Sequence, residues 1–246
     1  MARAAVLGRL TWHVGTVRAV RAETPWARTI VLDVPGWPGH LAGQHVDVRL
    51  TAPDGYQAQR SYSIASAADG ERVELTVELV PDGEVSPYLV SVLEVGDLLE
   101  LRGPVGGWFV WRPGTPDPVL LVAGGSGLVP LMAMLRTRAA SGSAAPFHLL
   151  YSVREPAAAL YADELPTLGV PVSYLFTRRT PPGTRRPIGR ISLLDLPAGF
   201  TPDRHPSVYA CGPTGFVEAA ADLLTTAGHD AQRIRTERFG PTGGNP

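Results

Sequence analysis

The spacing of hydrophobic and polar positions divides the chain near residue 113. The segment Val73–Leu79 alternates apolar and polar side chains, which is the period-2 pattern of a half-buried β-strand. Five further β-rich runs are short and are bounded by Gly, Pro or Asp: Trp12–Arg21, Ala27–Val34, Gly43–Thr51, Gln59–Ser66 and Leu98–Gly103. Residues 1–113 are therefore predicted to form a six-stranded antiparallel β-barrel domain.

A single short helix is predicted within this first domain. Ser86 is followed by Pro87, which is typical of a helix N-cap residue with proline at the first helical position. The predicted helix runs through Tyr88–Leu93.

After the Pro- and Gly-rich linker Arg112–Pro118, apolar runs alternate with segments of helical spacing. Predicted strands are Val119–Ala123, Phe147–Val153, Val172–Phe176 and Val208–Cys211. Predicted helices are Leu128–Leu135, Ala157–Leu165 and Phe216–Leu224, the last ending at Gly228. This order predicts that residues 114–246 form an α/β nucleotide-binding domain, with a parallel sheet covered by helices on both faces.

Composition narrows the possible functions of the 246 residues. A net charge of -1 argues against a nucleic-acid binder. The one cysteine excludes an internal disulfide and a four-cysteine iron–sulfur cluster. No apolar run approaches the ~20 residues of a membrane span, and Met1–Leu10 lacks a signal-peptide core. A cytoplasmic protein without a membrane span is expected.

The six histidines show no metal-ligand spacing, so no metal site is predicted. His45 is expected to pack on the barrel and not to bind a ligand. No G-x-S-x-G segment marks a serine hydrolase.

A glycine-rich segment joins the first predicted strand of the second domain to the following helix. It contains Gly124, Gly125, Ser126, Gly127 and Pro130. Glycines allow a ligand to approach the backbone closely, and the start of a helix offers N–H groups to a phosphate. Proline is tolerated in the first turn of a helix, because its missing N–H would have no partner there. The segment indicates a phosphate site, although a tight turn without a ligand would use the same residues.

Two other motifs carry candidate chemistry. Arg60-Ser61-Tyr62-Ser63 lies on a predicted barrel strand, which places Arg60 and Tyr62 on one face. Arginine binds phosphate in a bidentate manner and tyrosine offers a flat stacking surface, so a phosphorylated aromatic ligand would fit. Cys211-Gly212-Pro213 follows a predicted parallel strand, at the edge where open α/β sheets bind ligands.

Together these motifs resemble the ferredoxin–NADP reductase superfamily of flavoenzymes, over residues 12–240. Arg60–Ser63 resembles the flavin motif of that family, and Gly83–Ser86 its flavin-pyrophosphate turn. Gly124–Pro130 resembles its nicotinamide-dinucleotide loop, and Cys211–Pro213 its nicotinamide-side motif. The resemblance implies FAD, with FMN as the alternative, and a hydride donated by NADPH or NADH.

The resemblance also implies a role for each matching residue. Arg60 would bind a flavin phosphate, Tyr62 would pack on the flavin ring and Ser63 would lie near its N5 atom. Val85 and Ser86 would meet the pyrophosphate through backbone N–H groups. Cys211 would position the nicotinamide without attacking it. Glu237 and Phe239 match the family's C-terminal segment near the flavin, and Phe239 would cover the ring. The resemblance thus implies four catalytic residues: Tyr62, Ser63, Cys211 and Glu237. The tail Pro241–Pro246, which plant-type reductases lack, is expected to be mobile.

The second domain also carries residues that bear on the choice of dinucleotide. NAD-preferring enzymes place an acid at the end of the second strand, whereas this chain has Ser152-Val153-Arg154 there, with Glu155 next. Thr177-Arg178 resembles the Ser-Arg pair that holds the 2′-phosphate of NADP in the family. NADPH is therefore favoured over NADH.

The resulting hypothesis is a flavoprotein reductase that feeds a separate acceptor, such as a ferredoxin, a flavodoxin or an oxygenase component. The alternatives are a reductase of free flavin or small acceptors, an electron-transfer subunit of a larger complex that uses NADH, and a flavin-binding redox sensor.

Overall fold

A computed structural model describes residues 10–240 and places them in two β-sheets. The first sheet has six strands in the order β4-β3-β6-β1-β2-β5, and all neighbours are antiparallel. The strands are β1 Trp12–Thr24, β2 Ala27–Asp33, β3 His45–Thr51, β4 Gln57–Ser63, β5 Arg72–Glu78 and β6 Leu98–Val105. The prediction of a six-stranded antiparallel domain is confirmed.

The first sheet curls because its two edge strands approach each other. Ile64, just after β4, forms an isolated antiparallel bridge with Leu75 of β5. Both side chains are fully buried in the core of this domain, together with Val46 and Ile30. The alternation of apolar and polar residues therefore gives each strand one side facing a shared interior.

The helix of the first domain, α1 Ser86–Ser91, begins as expected but is not capped by Ser86. Val85 occupies the N-cap position and makes no side-chain capping bond. The Ser86 hydroxyl instead accepts a hydrogen bond from the backbone N–H of Val80 over 3.0 Å. The predicted cap is therefore wrong, because the preceding turn already uses that hydroxyl.

The second sheet is parallel and has the order β11-β10-β7-β8-β9. Its strands are β7 Val119–Gly124, β8 Phe147–Val153, β9 Val172–Phe176, β10 Ser207–Pro213 and β11 Ile234–Phe239. Helix α2, Leu128–Ala140, packs with Leu121 and Leu149 on one face. Helix α3, Thr214–Thr226, packs with Leu120 and Val122 on the other. The predicted parallel sheet with helices on both faces is confirmed.

One predicted helix of the second domain is absent from the described structure. The segment 157–165 contains no α-helix but is flanked by the short 3₁₀ turns Pro156–Ala158 and Leu165–Leu168. Tyr161 has a φ of 53°, in the left-handed region, which interrupts a right-handed helix at that residue. Strand β11 was not among the strands predicted from the sequence.

Partly buried polar contacts join the two domains. The Arg136 guanidinium on α2 donates to both oxygens of Glu164, at 2.7 and 2.6 Å. It also reaches the first domain, where it donates to Ala65 O at 2.9 Å and to Glu74 at 3.0 Å. Ala42 and Ala65 of the first domain are buried in the α2 side of the second core. The two sheets are therefore held in a fixed relation.

No helix within residues 10–240 has the length and apolar character needed to cross a bilayer. Residues 1–9 and the tail Pro241–Pro246 lie outside the described residues. The expectations for them, that Met1–Leu10 lacks a signal-peptide core and that the tail is mobile, stay predictions.

Candidate active site

The two domains meet where the start of β3 approaches β11. Ser63 is paired with His45 across β4 and β3. His45 Nδ1 lies 3.8 Å from Glu237 Oε1 on β11. Glu237 is in turn paired with Cys211 across β11 and β10. Three of the predicted catalytic residues are thus brought together through His45, which was expected only to pack on the barrel.

Arg60, the predicted phosphate anchor, lies at the surface near the start of α1. Its guanidinium donates to Glu84, and the hydroxyl of Tyr56 donates to the other oxygen of the same carboxylate. The hydrogen bonds from Tyr56 and then from Arg60 hold the pKa of Glu84 below its ordinary value. Glu84 immediately precedes the N-cap residue Val85, so this carboxylate keeps Arg60 beside the first turn of α1.

The other residues of the flavin motif are divided between the two faces of β4. Tyr62 is half-buried against the core of the first domain, and burial raises the pKa of its phenol to about 12. It is therefore neutral at physiological pH. The Ser61 hydroxyl donates to Asp47 over 2.7 Å, and Asp47 also accepts from Arg102 at 2.7 Å. The Ser61 hydroxyl is therefore used in a hydrogen bond between β4 and β3.

The turn before α1 closes on itself. The backbone N–H of Gly83 donates to Val80 O at 2.9 Å, and the Val80 N–H donates to the Ser86 hydroxyl. Val85 and Ser86 are buried, and no side chain caps the helix. The first N–H groups of α1 are therefore available to an acceptor outside the helix.

The glycine-rich segment is shaped by close backbone contacts. A Cβ at Gly127 would lie 2.1 Å from Cys211 O, so only glycine fits there. A Cβ at Gly212 would lie 3.1 Å from the Cα of Gly124. Gly125 has a φ of +55° and open space around its Cα. The ends of β7 and β10 and the start of α2 thus touch through backbone.

Helix α2 presents an uncapped N-terminus at this point. Its N-cap residue, Gly127, has no side chain that could cap the helix, and the first turn holds no acidic residue. Pro130 is buried in that turn and needs no partner for its nitrogen. Ser126 lies in the 3₁₀ turn Gly125–Gly127 before the helix. The N–H of Leu128 already donates within this turn, to the carbonyls of Gly125 and Ser126. The helix dipole favours an anionic group here.

The residues predicted to choose the dinucleotide lie together at the carboxyl edge of β8 and β9. Ser152 is buried at the end of β8. The backbone O of Arg154 accepts the N–H of Arg178 at 2.9 Å, and both side chains are exposed. The N–H of Thr177 donates to Val153 O at 3.0 Å. Two exposed arginines therefore flank one edge of the sheet.

Cys211 and Glu237 are both enclosed, with different consequences. Cys211 is 1% exposed, and burial raises the pKa of its thiol well above the ordinary value, as does the Glu237 carboxylate. It is therefore a neutral thiol and a poor nucleophile. Burial raises the pKa of Glu237 to about 7, and its Oε2 atom has no hydrogen-bond partner among residues 10–240.

Phe239 ends β11 and is 37% exposed. It is in register with Pro213, the last residue of β10, so it borders the Cys211–Pro213 segment. Its predicted function in covering a ring stays a prediction.

Sequence reasoning missed His45 and Glu84. His45 is embedded in Gly43-Gln44-His45-Val46, and nothing local indicates a partner from β11. Glu84 lies inside the predicted turn Gly83–Ser86. An acidic residue beside a predicted phosphate site could have indicated a partner for Arg60.

These groups fit a flavin and a dinucleotide. Arg60 and the uncapped start of α1 provide donors for one phosphate group, and the glycine segment with the uncapped start of α2 provides donors for another. Between them lie Ser63, Cys211 and Glu237, whose orphaned oxygen lacks a partner among the described residues. The fold and site define a two-domain oxidoreductase that binds a flavin and a nicotinamide dinucleotide.

Comparison with known proteins gives the family. Residues 29–110 match the oxidoreductase FAD-binding domain, and residues 121–222 match the oxidoreductase NAD-binding domain. Ferredoxin–NADP reductase B of Sorangium cellulosum is 34% identical over 234 residues, covering 90% of this chain and 95% of that protein. The chain belongs to the ferredoxin–NADP reductase superfamily.

Two further relatives agree with this placement. An NADPH oxidoreductase of Mycobacterium tuberculosis is 32% identical over 92% of this chain, which spans 59% of that protein's length. The flavohem-like FAD/NAD-binding domain of nitric oxide dioxygenase from Vibrio cholerae superposes with a TM-score of 0.83 at 26% identity, covering 93% of this chain and 99% of that domain.

Proposed function

We propose that the protein takes a hydride from NADPH onto bound FAD and passes electrons to a separate protein acceptor. One observation carries this proposal. The contact between His45 and Glu237 joins the flavin-side residue Ser63 to the nicotinamide-side residue Cys211 at a single seam. The bound flavin would supply hydride acceptance and release of electrons one at a time.

Each motif has a positioning role in this reaction. Arg60 and the N–H groups of Val85 and Ser86 bind the flavin phosphates, and Tyr62 offers its neutral ring to the flavin. The glycine segment and the start of α2 bind the dinucleotide pyrophosphate. Cys211, as a buried thiol, orients the nicotinamide by contact alone. Hydride transfer needs reacting atoms held ~3–3.5 Å apart, which rigid placement of both domains supports.

The preference for NADPH is supported by Arg154 and Arg178, which are exposed beside each other. Arginine binds phosphate in a bidentate, charge-assisted manner, so this pair suits a 2′-phosphate. Glu155 lies 3.7 Å from Arg179 and is partly neutralised by it.

The acceptor is a ferredoxin, a flavodoxin or an oxygenase component. The name of the Sorangium relative specifies ferredoxin, and these 246 residues hold one cysteine, too few for their own iron–sulfur cluster. A cytoplasmic location agrees with this single free cysteine.

We place the domain boundary between residues 113 and 114, because β6 ends at Val105 and β7 starts at Val119.

The test is a visible spectrum of the purified protein, followed anaerobically as NADPH or NADH is added. A yellow protein that NADPH bleaches faster than NADH supports the proposal. Faster bleaching by NADH would overturn the choice of dinucleotide. A protein that no added flavin can colour would overturn the reductase function altogether.

A further inference from the structure

The strand ends beside the predicted flavin site rest on helix α2 of the second domain. Ser63 is the last residue of β4, and its cross-strand partner is the first residue of β3. Just beyond this pair, the N–H of Ile64 donates to Gln44 O over 2.9 Å, so the two strand ends form one backbone unit. The next residues outward, Gly43 and Ala65, both contact α2.

Arg136 of α2 makes the polar part of this contact. Its Nη1 atom donates to Ala65 O at 2.9 Å and to Glu74 of the first domain at 3.0 Å. Its Nε and Nη2 atoms donate to the two oxygens of Glu164 in the second domain. The guanidinium is 5.3 Å from the centre of the Tyr161 ring, and the side chain is only 14% exposed. One planar group therefore holds partners from both domains at once, which the single ammonium of a lysine cannot do.

Met134 makes the apolar part of the contact. A Cβ at Gly43 would lie 2.8 Å from the methyl group of Met134 and 1.9 Å from Phe109 O, so α2 packs directly on the backbone of residue 43. Met134 and Ala65 belong to the same buried cluster. Both strand ends are thus held against α2 without an intervening layer.

The same helix begins at the predicted dinucleotide site. Its first residue, Leu128, follows Gly127, which is packed against the backbone of Cys211. Arg136 lies about 12 Å farther along the helix, at ~1.5 Å per residue. A short rigid element therefore joins the groups on the nicotinamide side to the end of the strand that carries Ser63.

Hydride transfer makes this spacing important. The reacting atoms have to be ~3–3.5 Å apart, and a displacement of about 1 Å can lower the rate about 100-fold. The flavin motif lies on the first domain and the nicotinamide motif on the second, so the distance between the two rings depends on how the domains are joined.

We propose that Arg136 is a positioning residue for hydride transfer, which fixes the end of β4 at one place along α2. It acts through Ala65 and Glu74, neither of which belongs to the flavin or the dinucleotide motifs. Arg136 therefore sets the distance between the two rings without touching either of them. This inference rests on the proposed function, in which a hydride passes from one domain to the other.

The first test compares Arg136→Lys with Arg138→Lys. Lysine keeps a positive charge beside Glu74 and Glu164, so the buried carboxylates are not left without a cation. Arg138 is a matched control, because it lies on the same helix but donates to Ala145 O inside the second domain. Flavin reduction at saturating NADPH is followed anaerobically by stopped flow. We expect Arg136→Lys to be reduced at least ~10-fold more slowly than the wild type, with nearly unchanged dissociation constants for FAD and NADPH. Arg138→Lys is expected to match the wild type.

The second test needs neither cofactor nor turnover. Spin labels are attached after Val95→Cys in the first domain and Leu194→Cys in the second, where both side chains are exposed and Cys211 is buried. Pulsed electron paramagnetic resonance of the flavin-free protein gives the distribution of distances between the labels. Arg136→Lys is expected to broaden or shift this distribution, and Arg138→Lys is expected to leave it unchanged.

Equal rates of flavin reduction in Arg136→Lys and Arg138→Lys would overturn the proposal, as would equal label distances in the two proteins. Slower reduction with a matching loss of NADPH binding would also overturn it, since Arg136 would then support the dinucleotide site and not the spacing of the domains. A wild-type protein that binds flavin but is reduced by neither dinucleotide would defeat the proposed function instead. The label distances would still decide whether Arg136 fixes the two domains.

Discussion

The hydroxyl of Tyr161 in the second domain donates a hydrogen bond to Oγ1 of Thr76 in the first, over 2.6 Å. Thr76 also shares a 2.7 Å hydrogen bond with Thr29, so its oxygen keeps a partner without the tyrosine. The backbone N–H of Tyr161 donates to Glu23. The hydroxyl contact therefore ties the two domains through groups that are shielded from solvent.

Tyr161→Phe is expected to lower the free energy of unfolding by about 1 kcal/mol, the net value of a buried hydrogen bond. Urea unfolding followed by circular dichroism measures this. Tyr174→Phe is the control, since the Tyr174 hydroxyl makes no hydrogen bond among residues 10–240. Equal stabilities of the two variants would contradict the assignment.

Arg60→Ala is expected to weaken flavin binding by about 10- to 150-fold, because a hydrogen bond to a charged group contributes roughly 1.5–3 kcal/mol. The dissociation constant is obtained by titrating the apoprotein with FAD and following fluorescence quenching. Arg18→Ala is a suitable control, as Arg18 is an exposed arginine paired with Asp33 on the first sheet. A dissociation constant for FAD that matches that of the wild type would remove Arg60 from the phosphate site.

Glu84→Gln also tests the role of Arg60 in flavin binding, but it is expected to strengthen binding. It removes the carboxylate that pairs with Arg60 and leaves the guanidinium in place. FAD is expected to bind more tightly than in the wild type, because the flavin phosphate no longer competes with a carboxylate. Weaker binding would mean that Glu84 itself holds the flavin.

Arg178→Ala is expected to raise the Michaelis constant for NADPH about tenfold or more and to leave that for NADH nearly unchanged, since only NADPH carries the 2′-phosphate. Steady-state rates with both dinucleotides measure this. Arg185→Ala is the control, since Arg185 is exposed and lies farther along the same arginine-rich stretch. A similar effect on both dinucleotides would show that Arg178 does not recognise the 2′-phosphate.

Glu237 should make the folded protein less stable as pH rises. Its pKa in the folded state is raised to about 7, so the folded protein holds this proton more tightly than the unfolded chain does. The free energy of unfolding therefore falls as pH rises above the unfolded pKa of this carboxyl, and the full loss of about 3 kcal/mol is present above pH 7. Glu237→Gln should raise the melting temperature at pH 8 and leave it nearly unchanged at pH 4. A uniform change at both pH values would mean that the carboxyl is not strained by burial.

The sequence predicted those parts of the fold that depend on local pattern. Val73–Leu79 alternates because one side faces the barrel interior, and Val119–Ala123 is wholly apolar because helices cover both faces of the parallel sheet. Strand β11 escaped prediction because its segment Ile234–Phe239 has only two apolar residues and lies at the sheet edge. The helix predicted at 157–165 does not form, because the hydrogen bond from the Tyr161 N–H to Glu23 of the first domain holds Tyr161 in a left-handed conformation.

The candidate site was predictable where a motif is continuous in the sequence. Gly124–Pro130 and Cys211–Pro213 each indicated their place at the edge of a parallel sheet. The contact of His45 with Glu237 was not predictable, since it joins strands of different sheets. Only the packing of the two domains creates it.

The close approach of Gly127 to Cys211 O makes the second domain rigid between the start of α2 and the end of β10. The start of α2 and the strand that bears the thiol touch backbone to backbone, without a deformable side chain between them. The glycine-rich segment and Cys211 therefore cannot shift relative to each other unless the backbone itself moves, and any larger residue at position 127 would force the two apart.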